Sequence, residues 1–179
     1  MTRTSFSTRG PWKILVVDDE RDALDEIRPL IEADGDTCYT AESAEEAFAR
    51  LESDPSISIV ITDVRMPGID GLEFVRRVSA RQMPVIEPQF IVISGHASID
   101  SMQAAIRLKV HDFLRKPLSL SDLRKTIASA KQKVAGEVLD RSVSESIAIE
   151  LETQSRLASE LQDALKRVNE VSGSEITLE

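Results

Sequence analysis

Three short apolar runs and a fourth, strand-like stretch each lead into a polar residue of a different kind. Ile14–Val17 ends on Asp18-Asp19, and Ile59–Ile61 ends, through Thr62, on Asp63. Phe90–Ile93 ends on Ser94, and Asp112-Phe113-Leu114 leads to Lys116-Pro117. Continuous apolar runs of this length suit strands covered on both faces, as in parallel sheets. If all four are parallel strands, their polar ends fall on one edge of one sheet. Three carboxylates, a hydroxyl and an ammonium would then meet there. Such a group can bind a divalent metal and handle a phosphoryl group.

The segments between the runs support that arrangement. Ala23, Leu24, Ile27, Leu30 and Ile31 recur at helical spacing, with Pro29 inside the pattern as a reason for the helix to bend or start late. Thr37–Thr40 reads as a short strand after the turn Asp34-Gly35-Asp36. Ala44, Ala47, Phe48 and Leu51 mark a second helix, and Leu72, Val75 and Val78 a third, after the loop signals Pro67-Gly68 and Asp70-Gly71. Ile99, Met102, Ala105 and Ile106 give a fourth helix, and Val110–Leu114 the last strand. Ser119-Leu120-Ser121-Asp122 looks like a capping box opening a fifth helix with Leu123, Ile127 and Ala130. Five strand–helix units predict an α/β fold with a doubly wound, five-stranded parallel sheet. Ligands of such sheets bind beyond the carboxyl ends of the strands, where the polar residues stand.

Residue chemistry narrows what that edge could do. Magnesium takes hard oxygen ligands and keeps several waters. Asp18, Asp19 and Asp63 supply oxygens, and crowded carboxylates repel unless a cation lies between them. Lys116 could neutralise a phosphoryl group as a point charge, and Ser94 could donate to one of its oxygens. An aspartate beside a metal can also act as a nucleophile and form an acyl phosphate. Taken singly, an Asp-Asp pair at a strand end is more often a solvated turn or a helix cap. The ordered set of four is what carries weight.

That set, with Met66-Pro67-Gly68, Asp70-Gly71 and Ser94-Gly95, resembles the response-regulator receiver domain of two-component signalling, a CheY-like, flavodoxin-like fold. The resemblance covers roughly Trp12 to Ala130. It implies that Asp63 is the phosphoacceptor, served by a sensor histidine kinase or a histidine phosphotransfer protein. It implies that Asp19 and Asp63, with the backbone carbonyl of Arg65, bind Mg2+ (or Mn2+), and that Asp18 acts largely through water. Lys116 would contact the phosphoryl group, Ser94 would turn toward it, and Phe113 would be the aromatic switch residue. Arg65 and His96, each two positions past a site residue, would tune the lifetime of the phosphorylated state. The Lys116-Pro117 bond is expected to be cis, as is frequent in this family. Such a chain is not an enzyme beyond its own phosphorylation and dephosphorylation.

Two departures from the family pattern stand out. Between the fourth helix and fifth strand the family has a small, glycine-like step, whereas this chain has Lys109-Val110. Lysine and β-branched valine take positive φ poorly, so the turn is expected to be rearranged. The second is a Pro-containing segment, Met83–Pro88, read as a surface loop. His111 and Cys38 are read as structural, Cys38 as a buried strand thiol.

The remainder differs in kind. Residues 131–179 contain no aromatic residue, proline or cysteine. Ile147, Leu151, Gln154, Ala158, Leu161, Leu165 and Val168 recur at alternating steps of four and three, a heptad seam. Glu152 with Arg156 and Asp163 with Arg167 are expected i,i+4 pairs. The seam is one residue out of phase with Leu123, Ile127, Ala130 and Val134. Either Ser142-Val143-Ser144-Glu145 caps a new helix, or one long helix runs through. The apolar stripe could fold back on the domain, but its narrowness favours a coiled coil, and hence a homodimer. The expected divisions are a tail over 1–11, a receiver over 12–130, a helical extension over 131–171 and a frayed end over 172–179.

Composition excludes several outputs. Net charge is −9, which disfavours nucleic-acid and anionic-membrane partners. The extension carries six Lys/Arg against ten Asp/Glu and no histidine, so it is neither a basic DNA reader nor a phosphotransfer module. One cysteine excludes an internal disulfide and fits a reducing, cytoplasmic setting. No apolar run exceeds four residues, too short to span a membrane. The alternative is that the helix is a stalk to an enzymatic output domain, such as a cyclic-dinucleotide enzyme or kinase, absent from this chain.

Overall fold

The computed structural model describes residues 11–81, 87–96 and 98–173, with side chains to 167. Most of the expected N-terminal tail, most of the Met83–Pro88 segment and the end beyond Gly173 lie outside the described residues. Five strands alternate with five helices: β1 (Lys13–Val17), α1 (Arg21–Ala33), β2 (Thr37–Ala41), α2 (Ala44–Ser53), β3 (Ile59–Asp63), α3 (Gly71–Ser79), β4 (Gln89–Ser94), α4 (Ile99–Arg107), β5 (Asp112–Arg115) and α5 (Leu120–Gly173). All strand pairs are parallel, in the order β2-β1-β3-β4-β5. The chain divides into two compact units, one ending at Gly136 and one beginning at Glu137.

The doubly wound sheet follows from what the runs must bury. Alternate side chains of one strand point to opposite faces. Ile14, Val16, Ile59, Ile61, Ile91 and Ile93 meet Leu24, Ile27 and Ile31 of α1 and Leu123, Ile127 and Ala130 of α5. Leu15, Val17, Val60 and Val92 meet Ala44, Ala47 and Leu51 of α2 and Phe74, Val75 and Val78 of α3. Phe74 is fully buried and packs edge-on to Phe48 and Phe90, with centroids 4.9 and 6.4 Å away. Each such large apolar side chain contributes roughly 1.5–3 kcal/mol on burial.

Helix starts obey local chemistry. Ser43 and Asp70 accept from the backbone N–H of Glu46 and Glu73, capping α2 and α3. Ser98 and Ser101 form a reciprocal capping box on α4, and Ser119 accepts from Asp122 N–H at the start of α5. Helix α1 is neither delayed nor ended by Pro29.

Several expectations need correction. The α4–β5 turn is not rearranged. Lys109 takes φ +55°, its N–H bonds to Ile106 O, and Val110 N–H bonds to Ala105 O. This is a Schellman closure, with a lysine in the left-handed position usually filled by glycine. Packing of Leu108 and Val110 on the core holds the helix end in place. β5 begins at Asp112, two residues later than its apolar pattern suggests. Of the two readings at Ser142, the single long helix is the one found, since α5 continues through it. Arg156 lies 3.9 Å from Glu160 rather than pairing with Glu152, and Arg167 reaches the backbone carbonyl of Asp163, not its carboxylate. Long solvated side chains choose such partners at little energetic cost.

Candidate functional site

In a sheet of this order the connections reverse direction between β1 and β3, opening a crevice at their carboxyl ends. Asp18 and Asp63 stand there. Their side chains are 4% and 6% exposed, and the Lys116 ammonium lies 3.0 Å from Asp18 Oδ2 and 2.8 Å from Asp63 Oδ1. Burial disfavours the charged lysine, but hydrogen bonds to Asp63 and Asp18 outweigh it and raise its pKa above 10.5. Two buried carboxylates thus share one ammonium, and among the described residues neither has a second cation.

Neighbouring backbone fixes the carboxylates. Asp18 Oδ1 accepts from Glu20 N–H at 2.9 Å, at the entry to α1. Asp18 therefore also serves the bland role of a helix-entry residue. Asp63 Oδ2 accepts from Arg65 N–H at 2.5 Å. The Lys116-Pro117 bond is cis, and the Lys116 backbone is held by its own N–H, which donates to Ser94 O at 2.9 Å. Ser94 is fully buried, and its hydroxyl accepts from His96 N–H at 3.2 Å.

Of the residues singled out in sequence, Asp18, Asp63 and Lys116 touch, and Ser94 joins them through the Lys116 backbone. Asp19 is exposed one residue past Asp18. Phe113 is half-buried against the core cluster of β1, β3, α2 and α3. Arg65 and His96 are exposed at the mouth. Among the described residues no three His, Cys, Asp or Glu are already drawn together tightly enough to enclose a metal. The donor chemistry nonetheless suits a hard divalent cation. The oxygens are carboxylates, two of which share one ammonium, and magnesium needs few protein ligands because it keeps its waters.

His111 and Cys38 stand outside this group. His111 Nε2 contacts Ser129 at 3.1 Å, and burial, with Lys133 nearby, lowers its pKa. Cys38 is buried, which pushes its thiol up to about 11.

Sequence reasoning missed two residues beneath the site. In sequence Gly71 stands out only as part of Asp70-Gly71, a loop signal and family motif, with no role of its own. In the structure a Cβ there would lie 1.9 Å from the Asp63 carbonyl oxygen, so the first turn of α3 rests directly on the Asp63 backbone. Thr62 read as a bridge between an apolar run and Asp63. It is fully buried, and its hydroxyl donates to that same carbonyl at 3.0 Å. The Asp70-Gly71 dipeptide held the signal for the first, as a cap followed by a residue without a side chain.

Comparison with known proteins agrees with this geometry. The response regulator receiver domain profile matches residues 14–128. The "uncharacterized transcriptional regulatory protein YesN" of Bacillus subtilis is 37% identical over 130 residues, covering 68% of this chain and 34% of YesN. The "cyclic di-GMP phosphodiesterase response regulator RpfG" of Xanthomonas campestris is 33% identical over 203 residues, covering 95% of this chain and 52% of RpfG. The chain thus spans a third to a half of these relatives. The crystal structure of a response regulator receiver domain protein from Clostridium thermocellum, 33% identical, superimposes with a TM-score of 0.62 over 68% of this chain and 95% of its own. Strand order and these matches agree: the chain belongs to the response-regulator receiver family.

Proposed function

We propose that Asp63 accepts a phosphoryl group from a phosphohistidine of a sensor histidine kinase or histidine phosphotransfer protein, and that this modification controls association through the C-terminal helix. The observation that carries the reading is the buried Asp63 carboxylate, which shares the Lys116 ammonium with Asp18 at the β1–β3 crevice. A carboxylate oxygen of Asp63 attacks phosphorus, the phosphorus–nitrogen bond breaks, and its electron pair returns to the imidazole. Lys116 neutralises charge on the transferred group. Asp19, Asp63 and the Arg65 carbonyl would hold Mg2+ (or Mn2+), with Asp18 acting through water. When bound, the ion offsets negative charge on the phosphoryl oxygens. Ser94, whose hydroxyl accepts from His96 N–H, would turn toward those oxygens, and Phe113 would move inward with it. Arg65 and His96, both exposed, flank the path of attacking water.

Incubation with acetyl phosphate and Mg2+, read by mass spectrometry of the intact chain, tests this. One added phosphoryl group is expected on the wild type, none on Asp63→Asn and none with excess EDTA. No added mass on the wild type, or the same mass on Asp63→Asn, overturns the assignment.

The match to RpfG over 95% of this chain favours a second reading. Receiver and helix would form the regulatory arm of a larger protein with an enzymatic output, such as a cyclic-dinucleotide enzyme or kinase. A reading frame continuing past Ser174 into such a domain in the source genome supports it, and a stop codon after Glu179 removes it.

A further inference from the structure

From Leu139 to Arg167, α5 is exposed at every residue. On the heptad seam, Ile147, Leu151, Leu161 and Leu165 are each half to two-thirds exposed. An apolar face of this kind needs a covering partner. Resting on the proposal that this helix mediates association, we infer that its partner is the same helix of a second copy, parallel and in register, with Gln154 setting the register.

The heptad seam places Leu151, Ala158 and Leu165 at a positions and Ile147, Gln154 and Leu161 at d positions. The flanking e and g positions are Ala148, Ser155 and Gln162, and Glu150, Leu157 and Ala164. Recognition between unlike helices is set largely by charges at e and g, and only Glu150 is charged here. The remaining charges (Glu145, Glu152, Arg156, Glu160, Asp163, Lys166 and Arg167) fall on the outer b, c and f positions. There, two like copies repel weakly across water. A second copy therefore meets no electrostatic barrier at the seam, and a foreign helix finds no charge pattern to read.

Gln154 decides the orientation. It is the one seam residue between Ile147 and Leu165 with a polar side chain, and a buried amide must find a hydrogen-bond partner. In a parallel, in-register pair Gln154 meets Gln154, and each amide can both donate and accept. In an antiparallel pair d layers face a layers, so Gln154 would face Leu151, Ala158 or Leu165, none of which can answer it. A parallel pair slipped by one heptad sets Gln154 against Ile147 or Leu161, with the same defect. A lone polar seam residue commonly specifies register in this way.

The test uses the full chain in a Cys38→Ala background, so that introduced thiols are the only ones. Light scattering first establishes association. Mixtures of Leu151→Cys with Leu161→Cys, and of Leu151→Cys with Ala158→Cys, are allowed to exchange subunits and are then oxidised. Disulfide-linked peptides are read by mass spectrometry. Links joining like positions are expected to exceed 151–161 and 151–158 links by at least about tenfold, since only residues of one layer reach high effective concentration. Adding Gln154→Leu is expected to raise the unlike links about tenfold or more. A predominance of 151–161 links in a dimer overturns the parallel arrangement while leaving helix-mediated association standing. An unchanged pattern in Gln154→Leu overturns the role given to Gln154. A monomer at all concentrations overturns both the inference and the association proposal beneath it, without touching phosphorylation of Asp63.

Discussion

The two edges of the sheet use the same ingredients in different proportions. At the carboxyl edge, Asp18 and Asp63 divide one ammonium between them, and each accepts one further backbone N–H. At the amino edge, buried Asp36 and half-buried Asp54 each have a cation of their own. Asp54 accepts from Lys13 at 2.7 Å, from the Tyr39 hydroxyl, and from both the N–H and the hydroxyl of Ser56. Asp36 binds Lys131 of α5 and accepts from Trp12 N–H. A balanced, saturated carboxylate is a stitch, with its capacity spent on holding β1, β2, β3 and α5 together. A carboxylate that shares its cation keeps capacity for something else. The difference separates a structural ion pair from a candidate reaction site without reference to any relative.

The largest effect should come from crowding the backbone under the carboxyl edge. Gly71→Ala drives a methyl into the Asp63 carbonyl, and the neighbour is main chain, which yields little. A loss of about 3 kcal/mol in urea unfolding is expected, at the top of the usual range for overpacking. A loss below about 1 kcal/mol would mean that the turn carrying Asp63 is softer than the geometry implies.

The next test sets the edges directly against each other. Asp54→Asn removes a charge with four donors and should cost about 2 kcal/mol, as expected for hydrogen bonds to a charged group. Asp63→Asn removes one of two charges competing for Lys116. It should change stability by less than about 0.5 kcal/mol while abolishing phosphoryl uptake. Equal losses from the two substitutions would erase the distinction.

Acid sharpens the same contrast. Burial raises the Asp54 pKa, but bonds from Lys13, Ser56 and Tyr39 more than offset this and bring it from 3.8 down to about 2. A depressed carboxylate stabilises the fold above its unfolded pKa, and that contribution is lost as pH falls through the folded value. Wild type should therefore lose its advantage over Asp54→Asn between pH 4 and pH 2. The loss should be about 1 kcal/mol once solvent screening at this partly exposed site is allowed for. A gap between the two proteins that is constant over that range would show that the stitch is not electrostatic.

The carboxyl edge was legible in sequence, and the amino edge was not. Asp18, Asp63 and Ser94 each end an apolar run and Lys116 follows a strand-like stretch, so topology alone brings them together once these are read as parallel strands. Lys13 and Asp54 are 41 residues apart, and Asp36 and Lys131 are 95 apart. Nothing local marks either pair, because their meeting depends on how α2 and α5 lie against the sheet. Thr62 and Gly71 stayed hidden for a related reason: their importance is a close approach to one carbonyl, which leaves no periodic trace. The solvated pairs along α5 failed differently. Spacing permits Glu152 to reach Arg156, but an exposed guanidinium gains so little from any one carboxylate that spacing does not decide the partner.

Lys109 gives the smallest effect, and it lies at the amino edge, in the turn leading to β5. Its φ of +55° costs a residue with a Cβ of order 1–2 kcal/mol. The bonds from Lys109 and Val110 to Ile106 and Ala105 hold it there. Lys109→Gly relieves that strain but adds freedom to the unfolded chain, so a net gain of about 0.5 kcal/mol is expected, visible as a small rise in melting temperature. If the amino edge serves stability alone, the variant should take up phosphoryl from acetyl phosphate at the wild-type rate. A changed rate would mean that the conformation of this turn reaches Lys116 through the short strand β5, and that the two edges are coupled rather than divided in labour.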